Sequence, residues 1–237
     1  MKHAIKGFDQ MSLIDWDGMV ATTIYLSGCN FRCPYCHNAG LVLSPDQFES
    51  IPVDEILEYV TEHSDFLDGA VVTGGEPCIR SSVLDLLSEL KEAGLSTKLD
   101  TNGSFPAVLD RVIDEELVDY VAMDVKAPLD FESYRKSAGI ADRKTLNRVQ
   151  DSIDLLMEGR VDYEFRMTVV PVLHKAADLK LVGERLRGAA RFVLQNYVPR
   201  EPLDPSFRDE APYDMERLQE FRDMLATCFG ECILRRE

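Results

Sequence analysis

Six short runs rich in valine, isoleucine, threonine and tyrosine, at 21–26, 70–73, 97–100, 120–125, 163–170 and 191–196, alternate with amphipathic stretches of helical length. That alternation confines the chain to repeated βα units, because each strand needs a parallel neighbour and a helix to cover its apolar face. Helices are expected at about 53–66, 79–93, 105–116, 145–158, 175–187 and 214–227. In the second, Val83, Leu84, Leu86, Leu87 and Leu90 recur at helical spacing, and Gly94 stands where a helix C-cap glycine belongs. Residues 1–20 read as a lead-in, irregular or a short hairpin, and 199–237 as a proline-rich loop followed by a last helix. No linker interrupts the rhythm, so 1–237 is expected to be a single domain.

Six such units wind either as an open doubly wound sheet or as a partly closed barrel, and periodicity does not separate the two. Both arrangements gather ligands at the carboxyl ends of the strands. The residues following the strands are accordingly polar or glycine-rich: a cysteine loop after the first, Thr73-Gly74-Gly75-Glu76-Pro77 after the second, Asp100-Thr101-Asn102-Gly103 after the third. Asp124 and Lys126 stand at the end of the fourth strand, Val170-Pro171 after the fifth and Gln195-Asn196-Tyr197 at the sixth.

The densest signal is Gly28-Cys29-Asn30-Phe31-Arg32-Cys33-Pro34-Tyr35-Cys36-His37-Asn38. Three cysteines this close converge on one centre if the loop curls, as Gly28 and Pro34 permit. Zinc asks for four ligands, and His37, adjacent to Cys36, is poorly placed to be the fourth. A cubane iron–sulfur cluster on three cysteines keeps one iron open. Three cysteines packed in a core turn are the third reading, disfavoured by the polar Asn30, Arg32, His37 and Asn38. Singly, Asp100, Asp124 and Lys126 read as solvated strand-end charges; together they suit a zwitterionic ligand.

Net charge narrows the partners. At −16 the chain is not expected to bind nucleic acid or an anionic membrane. The first residues lack a signal peptide's apolar stretch and no run reaches membrane-spanning length, so six cysteines are expected in a reducing cytoplasm, serving metal or redox chemistry.

The pattern Cys-x3-Cys-x-aromatic-Cys with Tyr35 at the aromatic position, followed by Gly-Gly-Glu-Pro, resembles the radical S-adenosylmethionine superfamily. Ser12–Gly18, Asp100–Gly103 and Met123–Ala127 extend the resemblance to its activating enzymes of glycyl radical enzymes. The resemblance implies an α/β fold, a partial (β/α)6 TIM-like barrel. It also implies a four-iron four-sulfur (4Fe-4S) cluster on Cys29, Cys33 and Cys36, with S-adenosylmethionine on the open iron. By position Gly74, Gly75 and Glu76 would hold the methionine ammonium. Asp100, Asp124 and Lys126 would contact the rest of the cofactor, Tyr35 and Asn38 would lie against adenine, and the aspartates with Thr101 would hold a monovalent cation. The implied partners are a flavodoxin or ferredoxin as electron donor and, as substrate, a glycyl radical enzyme, here the anaerobic ribonucleoside-triphosphate reductase.

Two positions depart from the family: Asp17 stands where proline usually precedes the glycine, and Asn196-Tyr197 replaces a histidine after the last strand, so no ribose contact is assigned there. Two rivals stand beside this reading. One is a radical enzyme of small molecules, such as a 7-carboxy-7-deazaguanine synthase, with Arg166 as an extra basic group. The other is a non-catalytic iron–sulfur or zinc electron-transfer protein. Cys78 is expected in the core, Cys228 and Cys232 on one face of an extended last helix, and His174 in a solvated loop.

Overall fold

The computed structural model describes residues 3–235. Among them one sheet runs through eight strands in sequence order: β1 (Ile5–Ser12), β2 (Ala21–Leu26), β3 (Gly69–Gly74), β4 (Ser96–Thr101), β5 (Tyr120–Asp124), β6 (Asp162–Val169), β7 (Arg191–Asn196) and β8 (Glu231–Arg235). β1 pairs antiparallel with β2 and every later pair is parallel. β1 and β8 do not pair, so the barrel stays open between them.

The helices are α1 (Ala39–Leu43), α2 (Val53–Glu62), α3 (Ser82–Glu92), α4 (Pro106–Asp114), α5 (Phe131–Ala138), α6 (Arg143–Met157), α7 (Ala176–Arg185) and α8 (Met215–Leu225). Period-two alternation divides each strand between two environments. Ile24, Val72, Leu99, Met123, Phe165, Met167, Phe192 and Leu194 face the helices and join one apolar core that runs from Ile5 to Phe229. The intervening residues face the barrel interior, and many of them are charged.

All six expected strands and six expected helices form, with helix ends shifted by up to a few residues. The lead-in is a hairpin strand, β1, with register breaks between Ile5 and Gly7 and between Asp9 and Ser12. Two helices escaped the periodicity. α1 has five residues, too few for an apolar stripe, and α5 carries Glu132, Arg135 and Lys136 on a strongly polar face. The chain's end corrects another expectation. Helix α8 stops at Leu225, a single 3-10 turn covers Ala226–Cys228, Phe229 is extended and β8 follows. Cys228 and Cys232 therefore share no helical face.

Below the barrel, 12–20 fold back across the amino ends of the strands. Trp16 packs on Tyr120 with ring centroids 6.0 Å apart and forms a small inner core with Ala21 and Val71. Gly69 makes room for it, since a Cβ there would lie 2.8 Å from the indole. Asp17 accepts hydrogen bonds from Arg191 of β7 and Arg235 of β8, tying the lead-in to the far side of the open sheet. No helix among the described residues is long and apolar enough to cross a membrane.

Candidate functional site

A cavity of about 420 Å³ opens at the carboxyl ends of the parallel strands. Cys29, Cys33, Cys36, Tyr35, Asn38, Gly74, Gly75, Asp100, Thr101, Asp124 and Lys126 all border it, so eleven of the twelve residues singled out from sequence converge on one space. Glu76 is the twelfth, and it does not border the cavity.

The cysteine loop is fastened from several sides. Gly28 takes φ +91° and donates its N–H to Leu41 O of α1, while Cys36 N–H closes a turn onto Cys33 O. Arg32 N–H donates to Ala138 O at the end of α5, where Gly139 takes φ +63° with its α-carbon so close to Arg32 that a Cβ would sit 2.5 Å from Arg32 O. Asp204 N–H reaches Pro34 O from the loop after β7. Phe31 is buried edge-on to Tyr134. Phe31 N–H donates to Cys29 Sγ at 3.3 Å, the bond a thiolate would strengthen.

Burial pushes the Cys29 thiol up to about 11 and the Cys33 thiol up to about 12, and raises Cys36 as well. Thiols so placed ionise only when a cationic centre takes the charge. Among the described residues no three His, Cys, Asp or Glu side chains converge on a single ion. A lone zinc would hold its sulfurs at about 2.3 Å and hence close together. A cubane cluster takes three thiolates and keeps one iron open, so a set of three cysteines suits it better than a zinc that asks for a fourth protein ligand. His37 stacks obliquely against Tyr197, 5.9 Å between centroids.

The glycine pair has a packing role the sequence did not reveal. A Cβ on Gly74 would lie 2.3 Å from Leu26 O, and one on Gly75 would lie 2.1 Å from Gly28 O. The glycines let the β3 loop press against the backbone that carries Cys29, through Gly75 N–H to Leu26 O at 2.9 Å and Glu76 N–H to Gly28 O at 2.8 Å. Asn38 Nδ2 donates to Gly74 O at 2.8 Å and closes the same seam. Glu76 lies fully buried behind it, accepting from Cys78 N–H, the Thr101 hydroxyl and Asn102 N–H at 3.0, 2.7 and 2.7 Å. Burial pushes its carboxyl up and those three donors pull against the shift. Glu76 thus clamps the β3 loop to the β4 loop; an ammonium in the cavity meets the glycine pair before it meets Glu76.

Inside the barrel the strand-end charges are paired. Arg166 of β6 donates from Nη1 to Asp100 and from Nε to Asp124, both at 3.0 Å, and Lys126 Nζ donates to Asp124 at 2.9 Å. Although burial opposes it, Arg166 and Lys126 hold the Asp124 carboxyl down to about 2. Lys98, 1% exposed, lies 3.8 Å from Asp100 Oδ1 and donates to Asp15 O, and burial lowers its pKa. Among the described residues two buried polar atoms of the cavity residues lack a hydrogen-bond partner: Asp100 Oδ1 and the Tyr35 hydroxyl.

Asp15, Asn102, Thr168, Gln195 and Tyr25 also border the cavity and were not singled out from sequence. For Thr168 the signal was available in β6, where Glu164, Arg166 and Thr168 interrupt an otherwise apolar strand at period two, as Lys98 and Asp100 do in β4. A parallel strand covered by helices on one side has no use for such residues unless its other face lines a polar space. His174 corrects the solvated-loop expectation. It is fully buried, its Nδ1 accepting from Val170 N–H and its Nε2 2.9 Å from Lys126 O, and burial lowers it to about 4. Cys78 is buried at 1% exposure beside Glu76.

The model of the radical SAM superfamily matches residues 23–177. A protein of Methanocaldococcus jannaschii provisionally named as a glycyl-radical enzyme activating enzyme is 32% identical over 213 residues, 88% of this chain and 85% of the relative. The pyruvate formate-lyase 1-activating enzyme of Escherichia coli is 30% identical over 174 residues, 70% of this chain and 68% of that protein. Among solved structures, a radical SAM methyltransferase from Sphaerobacter thermophilus superposes with a TM-score of 0.71 at 16% identity, covering 92% of this chain and 67% of its own. Streptococcus suis SuiB bound to S-adenosylmethionine gives 0.67 at 15% identity, and the chain, 89% covered, spans about half of SuiB's length (49%). At such identities the structures establish the fold alone, an open α/β barrel.

Proposed function

Because this chain belongs to the radical SAM superfamily, we propose that it is an activating enzyme of a glycyl radical enzyme, with the anaerobic ribonucleoside-triphosphate reductase as the partner. The observation that carries the reading is the meeting of Cys29, Cys33 and Cys36 with the glycine pair and a paired set of buried charges around one cavity. Similarity to activating enzymes over most of the chain supports the reaction class.

In this reading the three cysteines hold a four-iron cluster, and Gly74 and Gly75 border the place of the S-adenosylmethionine ammonium. The Asp100 Oδ1 atom, which accepts no hydrogen bond among the described residues and has Lys98 Nζ at 3.8 Å, suits an ammonium or a ribose hydroxyl. Lys126 donates to Asp124 and keeps two further N–H donors for a carboxylate, while Arg166 bridges Asp100 and Asp124 through Nη1 and Nε and is the more committed of the two cations. Tyr35 and Asn38 remain the residues for adenine. When bound, the cluster and S-adenosylmethionine supply one-electron cleavage of the sulfonium and abstraction of a hydrogen atom from glycine, the electron coming from flavodoxin or ferredoxin. The chain's own part is to orient the cofactor, neutralise its charges and keep water out. The buried charges leave a monovalent cation little to do, since Arg166 already bridges the two aspartates and the Thr101 hydroxyl is committed to Glu76. One continuous core from Ile5 to Phe229 supports a single domain, and six free cysteines support a cytoplasmic setting.

The test is anaerobic reconstitution with iron and sulfide, then dithionite and S-adenosylmethionine, with 5′-deoxyadenosine measured chromatographically and the partner's glycyl doublet by electron paramagnetic resonance. Cys33→Ala should abolish cluster and cleavage together. Cleavage by a Cys33→Ala protein, or wild-type cleavage without a radical on the reductase, would refute the assignment.

A further inference from the structure

The chain's acidity is uneven. From Asp130 to Arg148 five cations, Arg135, Lys136, Arg143, Lys144 and Arg148, meet only three acids, in a chain whose net charge is −16. All five cations are exposed. Two of the acids are occupied as helix caps: Asp130 accepts from Ser133 N–H at the start of α5, and Asp142 from Thr145 N–H at the start of α6. The third, Glu132, pairs with Arg135 at 2.8 Å. The hydrogen bond and charge of Arg135 hold its carboxyl below the usual range, and Lys136 and Arg143 add to the effect, so three cations share one neighbourhood. Among the described residues no carboxylate pairs with Lys136 or Arg143. A second cationic stretch, 175–191, differs: its Arg185 and Arg191 are paired with Asp154 and Asp17, and among the described residues nothing in it hydrogen-bonds to the cysteine loop.

The first stretch abuts the three cysteines from outside the barrel. Arg32 of the cysteine loop, itself exposed, donates its N–H to Ala138 O in the last turn of α5, and Gly139 packs against it. Its guanidinium folds back on the loop, Nη1 donating to Cys29 O and Phe31 O at 2.7 Å each, which lays a fixed cation along the backbone between the first two cysteines. Tyr134 of α5 anchors the same junction, edge-on to Phe31 with ring centroids 6.4 Å apart. Arg32, Arg135, Lys136 and Arg143 do not border the cavity. A protein resting on these four cations therefore stands one loop's thickness from the cysteine sulfurs and need not cover the cavity mouth.

We propose that Arg32, Arg135, Lys136 and Arg143 form the docking surface for the one-electron donor, a small carrier protein with an acidic face around its redox group. The assignment rests on the activase reading and adds to it the place where the electron enters. One electron crosses: from a flavodoxin, the anionic flavin hydroquinone becomes the neutral semiquinone and the cluster goes from 2+ to 1+, with no bond made and no proton moved. A chain of −16 repels an acidic carrier at most approaches, so positive potential beside the cysteine loop selects the one productive face. Complementary charge speeds and orients such an encounter without making it tight, which suits a carrier that must leave after each electron. Nucleic acid is the poorer occupant, because Glu132 stands among the cations and the surrounding chain is acidic.

Lys136→Glu with Arg143→Glu reverses two exposed charges outside the cavity, and Lys136→Gln with Arg143→Gln removes them. Lys180→Glu with Arg187→Glu, exposed in the other cationic stretch, is the control of equal charge. Three quantities are measured on reconstituted enzyme: Kd for purified flavodoxin and, separately, for a two-cluster ferredoxin, the salt dependence of each, and 5′-deoxyadenosine formed with dithionite in place of a carrier. The reversed pair is expected to raise Kd for at least one carrier about tenfold or more at low salt, the glutamine pair less, and the control by under about twofold. Wild-type binding should weaken between about 50 and 300 mM salt, and binding by the reversed pair should change far less. Dithionite-driven cleavage is expected at the wild-type rate in every variant. Unchanged Kd for both carriers in the reversed pair, an equal loss in the control, or no binding of either carrier to the wild type overturns the docking surface and leaves the activase reading standing. Dithionite-driven cleavage that falls in step with binding places the effect inside the site and overturns the surface as well. Failure of dithionite-driven cleavage in the wild type overturns the activase reading, and the docking assignment with it.

Discussion

Replacing Gly75 by alanine adds one methyl group at the tightest backbone contact of the site. Its Cβ would lie 2.1 Å from Gly28 O, 2.7 Å from Gly28 C and 3.3 Å from Cys29 Cβ. Normal carbon contacts are longer by roughly 1 Å or more, and no flexible side chain is there to yield. Gly75 is absent from the positive-φ residues, so the entire cost is steric. A shift of about 1 Å between the two loops loses the hydrogen bonds Gly75 N–H to Leu26 O and Glu76 N–H to Gly28 O, both under 3 Å. Two buried donors left unsatisfied cost about 1–3 kcal/mol each, so the substitution should destabilise by about 2–6 kcal/mol. In a chain of this size that lowers Tm by roughly 5–20 °C. The same shift moves Cys29, so iron bound per chain after reconstitution should also fall. Gly94→Ala is the calibration: φ is +89° with nothing within 4 Å of the added Cβ, leaving only left-handed strain of about 1–2 kcal/mol. Calorimetry and iron analysis on both variants decide the matter. Gly75→Ala melting within about 2 °C of wild type with full iron, or costing less than Gly94→Ala, would refute the packing argument.

Two further outcomes follow from the buried charges. His174 is held neutral, down to about 4 in the folded protein against an ordinary 6.5, so the unfolded chain binds the extra proton between those values and stability falls as pH drops through that window. Denaturant unfolding at pH 7.5 and 4.5 should show wild type losing about 2–3 kcal/mol more than His174→Gln, which keeps an acceptor for Val170 N–H and a donor for Lys126 O. Arg166→Met leaves Asp100 and Asp124 without their bridge and should cost about 3–5 kcal/mol by urea unfolding near pH 7; a loss under 1 kcal/mol would mean the bridge contributes nothing.

Most of the barrel was legible because its helices bury continuous stripes, as Val83 to Leu90 do, and its strands are punctuated by glycine or proline. The cavity was legible because the rule placing ligands at strand ends turned scattered motifs into one location. What stayed hidden is informative in kind. Glu76 looked like a ligand from its neighbours Gly74 and Gly75, yet its position behind the seam depends on how closely two loops pack, which no local pattern encodes. His174 looked solvated because the residues around it are those of a loop; its burial comes from Ser137 and Lys126 O, 37 and 48 residues away. Strand β8 was invisible for a third reason. Its apolar run, Cys232-Ile233-Leu234, is too short to tell a strand from the tail of a helix.

Asp17 shows how a departure from a family pattern keeps the same backbone. Met19 N–H donates to Trp16 O at 3.1 Å, closing a turn with Asp17 and Gly18 at its centre, and Gly18 has φ +81°. Asp17 is not among the positive-φ residues, so this is a type II turn, the geometry in which proline is favoured before the glycine. The resembling family's proline and this chain's aspartate therefore answer one demand in two ways. Proline stiffens the unfolded chain by about 0.4–1 kcal/mol where its φ suits the site. Aspartate instead binds Arg191 and Arg235, and because its side chain is 45% exposed those pairs contribute about 1 kcal/mol or less. Asp17→Pro should thus unfold within about 1 kcal/mol of wild type, whereas Asp17→Ala, with neither device, should be the less stable of the two variants. The wild type alone should lose part of its advantage over Asp17→Ala in 1 M salt, where a half-exposed pair is screened. A loss above about 3 kcal/mol in Asp17→Pro would show that the turn is of another type and that the two residues do not solve the same problem.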